Sequence, residues 1–517
     1  MTQTQRPPTL IPSVIAPAIQ TGISASQSLS ERLWRRFATL GGRFRTLIIV
    51  IIVLTCLTAL TVSLSSSRAA GDLSAIGSVS IPSISAAQKI VPYLEDIDAR
   101  AADYLANTSA TPQPCVNSLT GQQMGQFSAH DCANQIIDSD QQALNHQLFL
   151  AGQNTAFPGS QTALQQTQNG LETYIGDINL MRHEYSLATP GNPSDPHLLQ
   201  AYQAERSAQT ILLQQLAGRV ANEPALPSCT LNGQTLSPQA WPNAGIETNM
   251  LCLSALGKPR LDSAYNDNVS FFGVSLGLVF GLSIYCCIFL FWSTWSMVST
   301  TRKLFQPALI LALLVALVST SVVLADFDAI YGHNGYFSVI ANDYNNVYTV
   351  GTLEQEGAQV QADQARWLAA LIFHDATSAN QQWYPNGQAR SQQVTSSLQQ
   401  FVASQHAAQN APLLAKIQQD WNSYNAQVKA VNQLSLSSGS TVVLSRAENL
   451  HLSQASAAFQ TFTSAIQQFS TANTNDYQSI LNEASARLAA LTTWWAIIFP
   501  ILGVLGAWGI SRRLKDF

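Results

Sequence analysis

The segment RFRTLIIVIIVLTCLTALTVSL, residues 43–64, sets Arg43 and Arg45 directly before a run, 47–64, that carries no charge. At a helical rise of about 1.5 Å per residue such a run crosses most of a hydrocarbon core roughly 30 Å thick. A buried helix of a water-soluble protein seldom stays charge-free over that length. Three more runs have the same character: 271–292, 305–325 and 488–510. In a chain of 517 residues the apolar side chains are therefore gathered into blocks, and the reading is an all-α membrane protein with four transmembrane helices.

The few basic residues set the expected orientation. Arg32, Arg35, Arg36, Arg43 and Arg45 precede the first run, Arg302 and Lys303 lie between the second and third, and the chain ends in Arg512, Arg513 and Lys515. Lysine and arginine accumulate on the cytoplasmic side of membrane proteins, so both termini are expected in the cytoplasm of a bacterial plasma membrane. The expected division is a disordered, basic-ended tail over 1–45, spans at 46–65, 270–293, 305–325 and 488–510, a cytoplasmic loop at 294–304, and a short tail at 511–517. Two large ectodomains, 66–269 and 326–487, then lie outside. Trp292, Trp295, Trp494, Trp495 and Trp508 fall at or near span ends, where indoles settle among lipid headgroups. The leader before the first run is too long for an ordinary signal peptide, so that run is expected to remain as an anchor.

Cysteine usage points the same way, because disulfides persist outside the reducing cytosol. Cys115, Cys132, Cys229 and Cys252 all lie in the first expected ectodomain; Cys56, Cys286 and Cys287 lie inside spans. Of the three possible connectivities we expect Cys115 with Cys132 and Cys229 with Cys252, since each pair brackets a loop rich in Pro, Gly, Asn and Gln. No C-x2-C unit is present, which argues against zinc.

The chain repeats one plan, span then ectodomain then span, twice over, an internal duplication of architecture without evident identity. Inside the ectodomains the apolar pattern is helical. Leu164, Leu171, Tyr174, Ile178, Met181 and Tyr185 share one seam, and Phe459, Phe462, Ile466 and Phe469 another. Helices are expected near 83–107, 129–155, 158–187 and 196–222, then near 335–377, 388–406, 412–433 and 443–487, giving two ectodomains that each resemble a four-helix bundle. The last helix is expected to run on into the fourth span.

No catalytic spacing is found: there is no H-E-x-x-H, G-x-S-x-G or phosphate-binding glycine loop, and the eight histidines are scattered singly. The expectation is a non-enzyme with no catalytic or metal residues and no cofactor. The net charge of −5 and the lack of a basic stripe exclude nucleic acid as an expected partner. The spans hold no Asp, Glu, Lys, Arg or His, which counts against a transporter or channel subunit. Gly273, Gly277 and Gly281 form a small-residue ladder suited to close helix packing, expected against neighbouring spans of the same chain or against a second copy. Gly503, Gly506 and Gly509 lack that spacing and are given less weight. Glu354 and Gln361 can be read as the lining of a small-ligand pocket, but the stripe Val350, Leu353, Val360, Trp367 and Leu371 leaves Glu354 at a solvated edge. Asn473 falls on a seam, where a polar residue is expected to fix helix register.

The segments Asn145-His-Gln-Leu-Phe-Leu-Ala-Gly-Gln, Leu199-Gln-Ala-Tyr-Gln-Ala-Glu-Arg-Ser-Ala-Gln and Trp508-Gly-Ile-Ser-Arg-Arg-Leu, with the four-span layout, resemble bacterial membrane proteins of the actinobacterial GlnX type. That resemblance implies a sensory relay: an amino-acid-binding lipoprotein, a solute-binding lipoprotein, signals from outside, and protein kinase G, a Ser/Thr protein kinase, receives the signal inside. It transfers no binding residue, so the ligand-binding residues stay unknown. The expectation is a non-enzymatic transmembrane sensor, with membrane lipid around it and a homo-oligomer as a possible assembly; the alternative is a structural scaffold of the cell envelope.

Overall fold

The computed structural model describes residues 40–75, 77, 81–107, 112–153, 160–189, 195–214, 227–231, 234–238, 240, 243–301, 307–331, 335–404, 410–437 and 440–514. The tail over 1–39, the pair Arg302 and Lys303, and residues 515–517 lie outside the described residues, and so do the expectations made for them. In chain order the elements are α1 (Leu40–Ala75), α2 (Ile81–Ala106), the hairpin β1 (Gln113–Val116) and β2 (Gln123–Phe127), α3 (Ala129–Gly152), α4 (Ser160–Leu187) and α5 (Pro196–Leu213). A second hairpin, β3 (Cys229–Leu231) and β4 (Gln234–Leu236), precedes α6 (Ile246–Thr301) and α7 (Pro307–Tyr331). Then come α8 (Tyr336–Ile372), α9 (Tyr384–Ala403), α10 (Ala411–Ser437), α11 (Thr441–Leu450) and α12 (Ser456–Leu514). Two π-helical turns, Ala379–Trp383 and His451–Ala455, lead into α9 and α12.

Helix starts follow local chemistry. Ser128 accepts the backbone N–H of Asp131 at the head of α3, and Asp195 accepts that of His197 at the head of α5, where Pro196 opens the first turn. Gly245 enters α6 at φ +104°, with a would-be Cβ 2.7 Å from the Leu212 carbonyl oxygen. No side chain fits there.

Among the described residues four helices are long and apolar enough to cross a membrane, within Phe44–Gly71, Gly277–Ser296, Pro307–Asp326 and Val442–Arg512. The protein is therefore consistent with a multi-pass membrane protein. The chain divides into two compact units, one made of residues 1–70, 270–329 and 486–517, the other of 71–269 and 330–485.

In the first unit Thr55, Thr58 and Ser66 donate to carbonyls of their own helix, and Ser66 also meets Thr492 Oγ1 at 2.8 Å. The glycines that pack here are the ones given less weight. A Cβ on Gly503 would lie 2.5 Å from Thr55 Oγ1, one on Gly506 3.1 Å from Ile51, and one on Gly509 3.2 Å from Leu309. The ladder of Gly273, Gly277 and Gly281 meets no described atom within 4 Å and is exposed, so packing within the chain is corrected for all three. Spacing reports where a backbone is bare; it does not report which face a neighbour takes. Trp292, Trp295, Trp494 and Trp508 are exposed, whereas Trp495 is buried against Phe499.

In the second unit each inter-span segment supplies an apolar core. Ile90, Leu94, Leu144, Leu171, Tyr174 and Ile211 belong to the first, and Val350, Leu398, Trp421, Phe459, Phe462 and Phe469 to the second. The segments expected as two ectodomains, 66–269 and 326–487, are packed together: residues 71–269 and 330–485 form one compact unit. The reason lies in α2 and α8. They meet along an alanine seam, Ala99 and Ala102 against Ala362, Ala365 and Ala369, whose small side chains let the backbones approach closely. Gln355 Nε2 donates to the Gln88 carbonyl at 2.7 Å and Gln88 Nε2 to that of Tyr348 at 2.9 Å across the same seam, while Tyr93 packs on both cores. Nearly every residue of α2 from Ile84 onward is buried, so it has no water-facing side.

Two disulfides staple the hairpins to helices: Cys115 on β1 to Cys132 on α3, and Cys229 on β3 to Cys252 on α6. The hairpins went unforeseen; their strands are three to five residues long and lie among loop-forming residues.

Candidate functional site

The second unit buries charge on a scale that its sequence does not announce. Arg366 on α8 has a fully buried side chain and reaches three carboxylates: Glu95 Oε2 at 2.7 Å, Asp98 Oδ2 at 2.5 Å and Asp363 Oδ1 at 3.1 Å. Arg390 on α9 takes the other Asp363 oxygen at 3.2 Å and lies 3.7 Å from Glu247 on α6, which also accepts from Gln359 Nε2. The Tyr174 hydroxyl of α4 faces Asp98 at 3.5 Å. Glu205 on α5 is buried beside Gln209 Nε2, and the guanidinium groups of Arg366 and Arg206 lie 5.2 and 5.6 Å from the Trp383 ring. Side chains from α2, α4, α5, α6, α8, α9 and a π-turn thus converge on one clamp.

A second cluster lies further along α2. Arg100 meets Asp103 at 3.0 Å, Asp96 at 3.4 Å and Ser118 Oγ at 2.7 Å. Asn117 donates to Asp140 on α3 at 2.6 Å, and the loop carrying Asn117 and Ser118 is held from α12, where Thr463 Oγ1 donates to the Ser118 carbonyl at 2.6 Å and Gln467 Nε2 to that of Leu119. Glu448 and His451, both buried, stand beside Asp103, His451 Nε2 at 3.6 Å from its carboxylate.

Carboxyl groups outnumber cations in both clusters, and burial disfavours their charged form. Burial raises Asp98, Asp363 and, further, Glu205; it pushes Glu247 up to about 7, against the partial relief given by Arg390 and Arg366. In the second cluster burial raises Asp103 to about 6 and lifts Asp140 and Glu448 well above the ordinary carboxyl range. Burial, with Arg100 nearby, lowers His451 to about 3, so its ring stays neutral. Both clusters thus contain carboxyl groups that burial makes readier to hold a proton, and both are tied to helices from the two inter-span segments.

Among the described residues no group of three His, Cys, Asp or Glu side chains could hold a metal ion. Glu354, expected at a solvated edge, is half-buried, and burial pushes its carboxyl up to about 7, with Lys89 pulling it down. Gln361 is buried. Val350, Leu353, Val360 and Trp367 of the stripe read on α8 are buried together with Gln361 because that helix has neighbours on every side, which a single-seam reading does not foresee. Asn473 is buried and accepts from Asn346 and Asn410 at 3.2 and 3.3 Å while donating to the Phe469 carbonyl. The charged positions of α2 carried one legible signal: Glu95, Asp98 and Asp103 interrupt a helix whose apolar residues leave little of its circumference free.

Comparisons with family models, with curated proteins and with solved structures find no match to this chain.

Proposed function

We propose that this protein is a non-enzymatic transmembrane sensor, with its termini in the cytoplasm of a bacterial plasma membrane and its helical unit outside. The observation that carries the reading is helix continuity. α6 and α12 each run unbroken from residues of the helical unit to a candidate span. Within that unit α12 also holds the loop beside Arg100, and α6 contributes Glu247 to the Arg366 clamp. Two disulfides fit an oxidising compartment for this unit. Buried networks with more carboxyl groups than cations have more than one arrangement of protons and partners, which is the bistable element a relay requires. The repeated plan of span, helices and span is read as an internal duplication in which both halves contribute to one sensing unit.

The partners in this reading are a solute-binding lipoprotein outside and a Ser/Thr protein kinase inside, as the GlnX-type resemblance implies. Crosslinking in intact cells followed by mass spectrometry of the purified complex tests it. Recovery of both partners, with altered kinase substrate phosphorylation in a strain lacking this protein, is the expected result. Recovery of envelope-assembly proteins alone, with unchanged phosphorylation, refutes the relay and favours a scaffold.

A further inference from the structure

A cavity of about 510 Å³ opens between α8, the Ala379–Trp383 turn, α9 and α10, away from the seam between α2 and α8. Its volume falls within the roughly 300–1,000 Å³ usual for small-molecule sites. It exists because α9 presents the wrong chemistry for a bundle core. Val394, Leu398 and Phe401 pack it onto its neighbours, but Gln388, Ser391, Gln392, Thr395 and Gln399, spaced by threes and fours, line the cavity instead.

The wall's one carboxylate is already occupied, since both oxygens of Asp363 are held by Arg366 and Arg390. Lys429 is exposed. The rest of the polar wall is neutral and rich in carboxamides: Gln364, Gln388, Gln392, Gln399, Asn425 and Asn432. Some of it is internally satisfied, with Ser391 Oγ donating to Asn425 Oδ1 at 2.7 Å and Trp421 Nε1 to Thr395 Oγ1 at 3.0 Å. Three lining residues are not. Gln364 Nε2 and Trp367 Nε1, on side chains more than nine-tenths buried, and Asn432 Oδ1 have no hydrogen-bond partner among the described residues. A buried polar group left unpaired is costly, and these three belong to residues of the cavity wall.

We propose that this cavity binds a neutral polyhydroxylated solute, a mono- or disaccharide. Carboxamides and an indole N–H match hydroxyl groups, each of which both donates and accepts. The half-buried Tyr384 ring, 5.3 Å from that of Trp367, offers a flat apolar wall for sugar C–H groups. A cationic solute finds no free carboxylate in this wall, an anionic one only the exposed Lys429, and an apolar one strands the carboxamides. The assignment stands on the cavity alone and holds whether or not the protein relays a signal.

Titration of the full-length protein in nanodiscs with glucose, maltose, trehalose and N-acetylglucosamine, followed by tryptophan fluorescence and calorimetry, tests it. Saturable binding of at least one sugar is expected, weakened about tenfold by Gln364→Met or Asn432→Leu and changed less than about twofold by Lys429→Ala. Gln392→Leu, at an exposed position, provides a wall variant with no core to disturb, and it too should weaken binding. Absence of binding by all four sugars at about 10 mM, a concentration at which a millimolar site is nearly filled, overturns the proposal. Binding of glutamine or glutamate that Lys429→Ala abolishes, with no sugar bound, overturns it equally.

Discussion

Replacing Arg366 by methionine removes the cation that lies 2.7 Å from Glu95, 2.5 Å from Asp98 and 3.1 Å from Asp363. Asp363 keeps Arg390, but Glu95 and Asp98 are left with no cation in contact. Stranding one member of a buried ion pair costs about 3–5 kcal/mol, and here two carboxylates are stranded. The upper bound is set by protonation, because Asp98 is already raised by burial and takes a proton more readily once Arg366 is gone. The loss at pH 7.5 is therefore expected at about 3–5 kcal/mol and should shrink markedly by pH 5. For a unit of this size it corresponds to a fall in Tm of about 4–7 °C. Unfolding of full-length protein in detergent, followed by the fluorescence of Trp367, Trp383 and Trp421, reads it directly. Adding Glu95→Gln and Asp98→Asn to Arg366→Met should return most of the loss. A decrease below about 1 kcal/mol, or one unchanged between pH 5 and 7.5, refutes the view that Arg366 is the electrostatic keystone of the α2 and α8 seam.

Other outcomes follow from the same structure. Glu247 and Glu354 are raised to about 7 and Asp103 to about 6, so the folded state holds protons that the unfolded chain releases near pH 4 to 5. Stability falls as pH rises through that window, and Tm should be higher at pH 6 than at pH 8. His451, lowered to about 3, acts oppositely and takes stability away as pH falls below about 6.5; a flat or rising Tm between pH 6 and 8 contradicts the assignment. Cys115→Ser opens a loop of 17 residues and should cost about 3 kcal/mol, read as a lower urea midpoint that matches that of reduced protein at the same site. Gly503→Leu drives a side chain into Thr55 and should lower the thermal stability of the solubilised protein by about 1–3 kcal/mol, whereas Gly277→Leu should leave it unchanged. Equal losses at the two glycines contradict the packing described.

The spans were legible because absence of charge over a bilayer's thickness is a one-dimensional signal, and the helices of the second unit because apolar spacing and breakers are local. The start of α3 at Ala129 and of α5 at Pro196 follow from neighbours in sequence, whereas α9, expected from 388 after a turn at 384–387, already begins at Tyr384, because Pro385 fits a first helical turn. What stayed hidden depends on three-dimensional neighbours. Which cation Glu95 and Asp98 meet is decided only when α8 brings Arg366 to them; Glu354 looks solvent-exposed until α2 is beside it. The merging of two segments into one unit rests on Ala99, Ala102, Ala362 and Ala365, residues too small and too common to mark an interface. The glycine ladder misled for the converse reason, its spacing being conspicuous and its face empty.

The π-helical turn at His451–Ala455 sets the angular phase of all that follows in α12. Such a turn holds one residue more than an α-helical turn, and each residue advances a helix by about 100°. Excising that extra residue would leave an ordinary α-helical turn and keep Phe459, Phe462 and Phe469 facing the core, whereas removing a residue from the regular helix just after it would swing the side chains beyond by about 100°. The turn beside the buried His451 is thus a shock absorber for chain length, the place in this helix where a change of one residue is taken up without becoming a rotation.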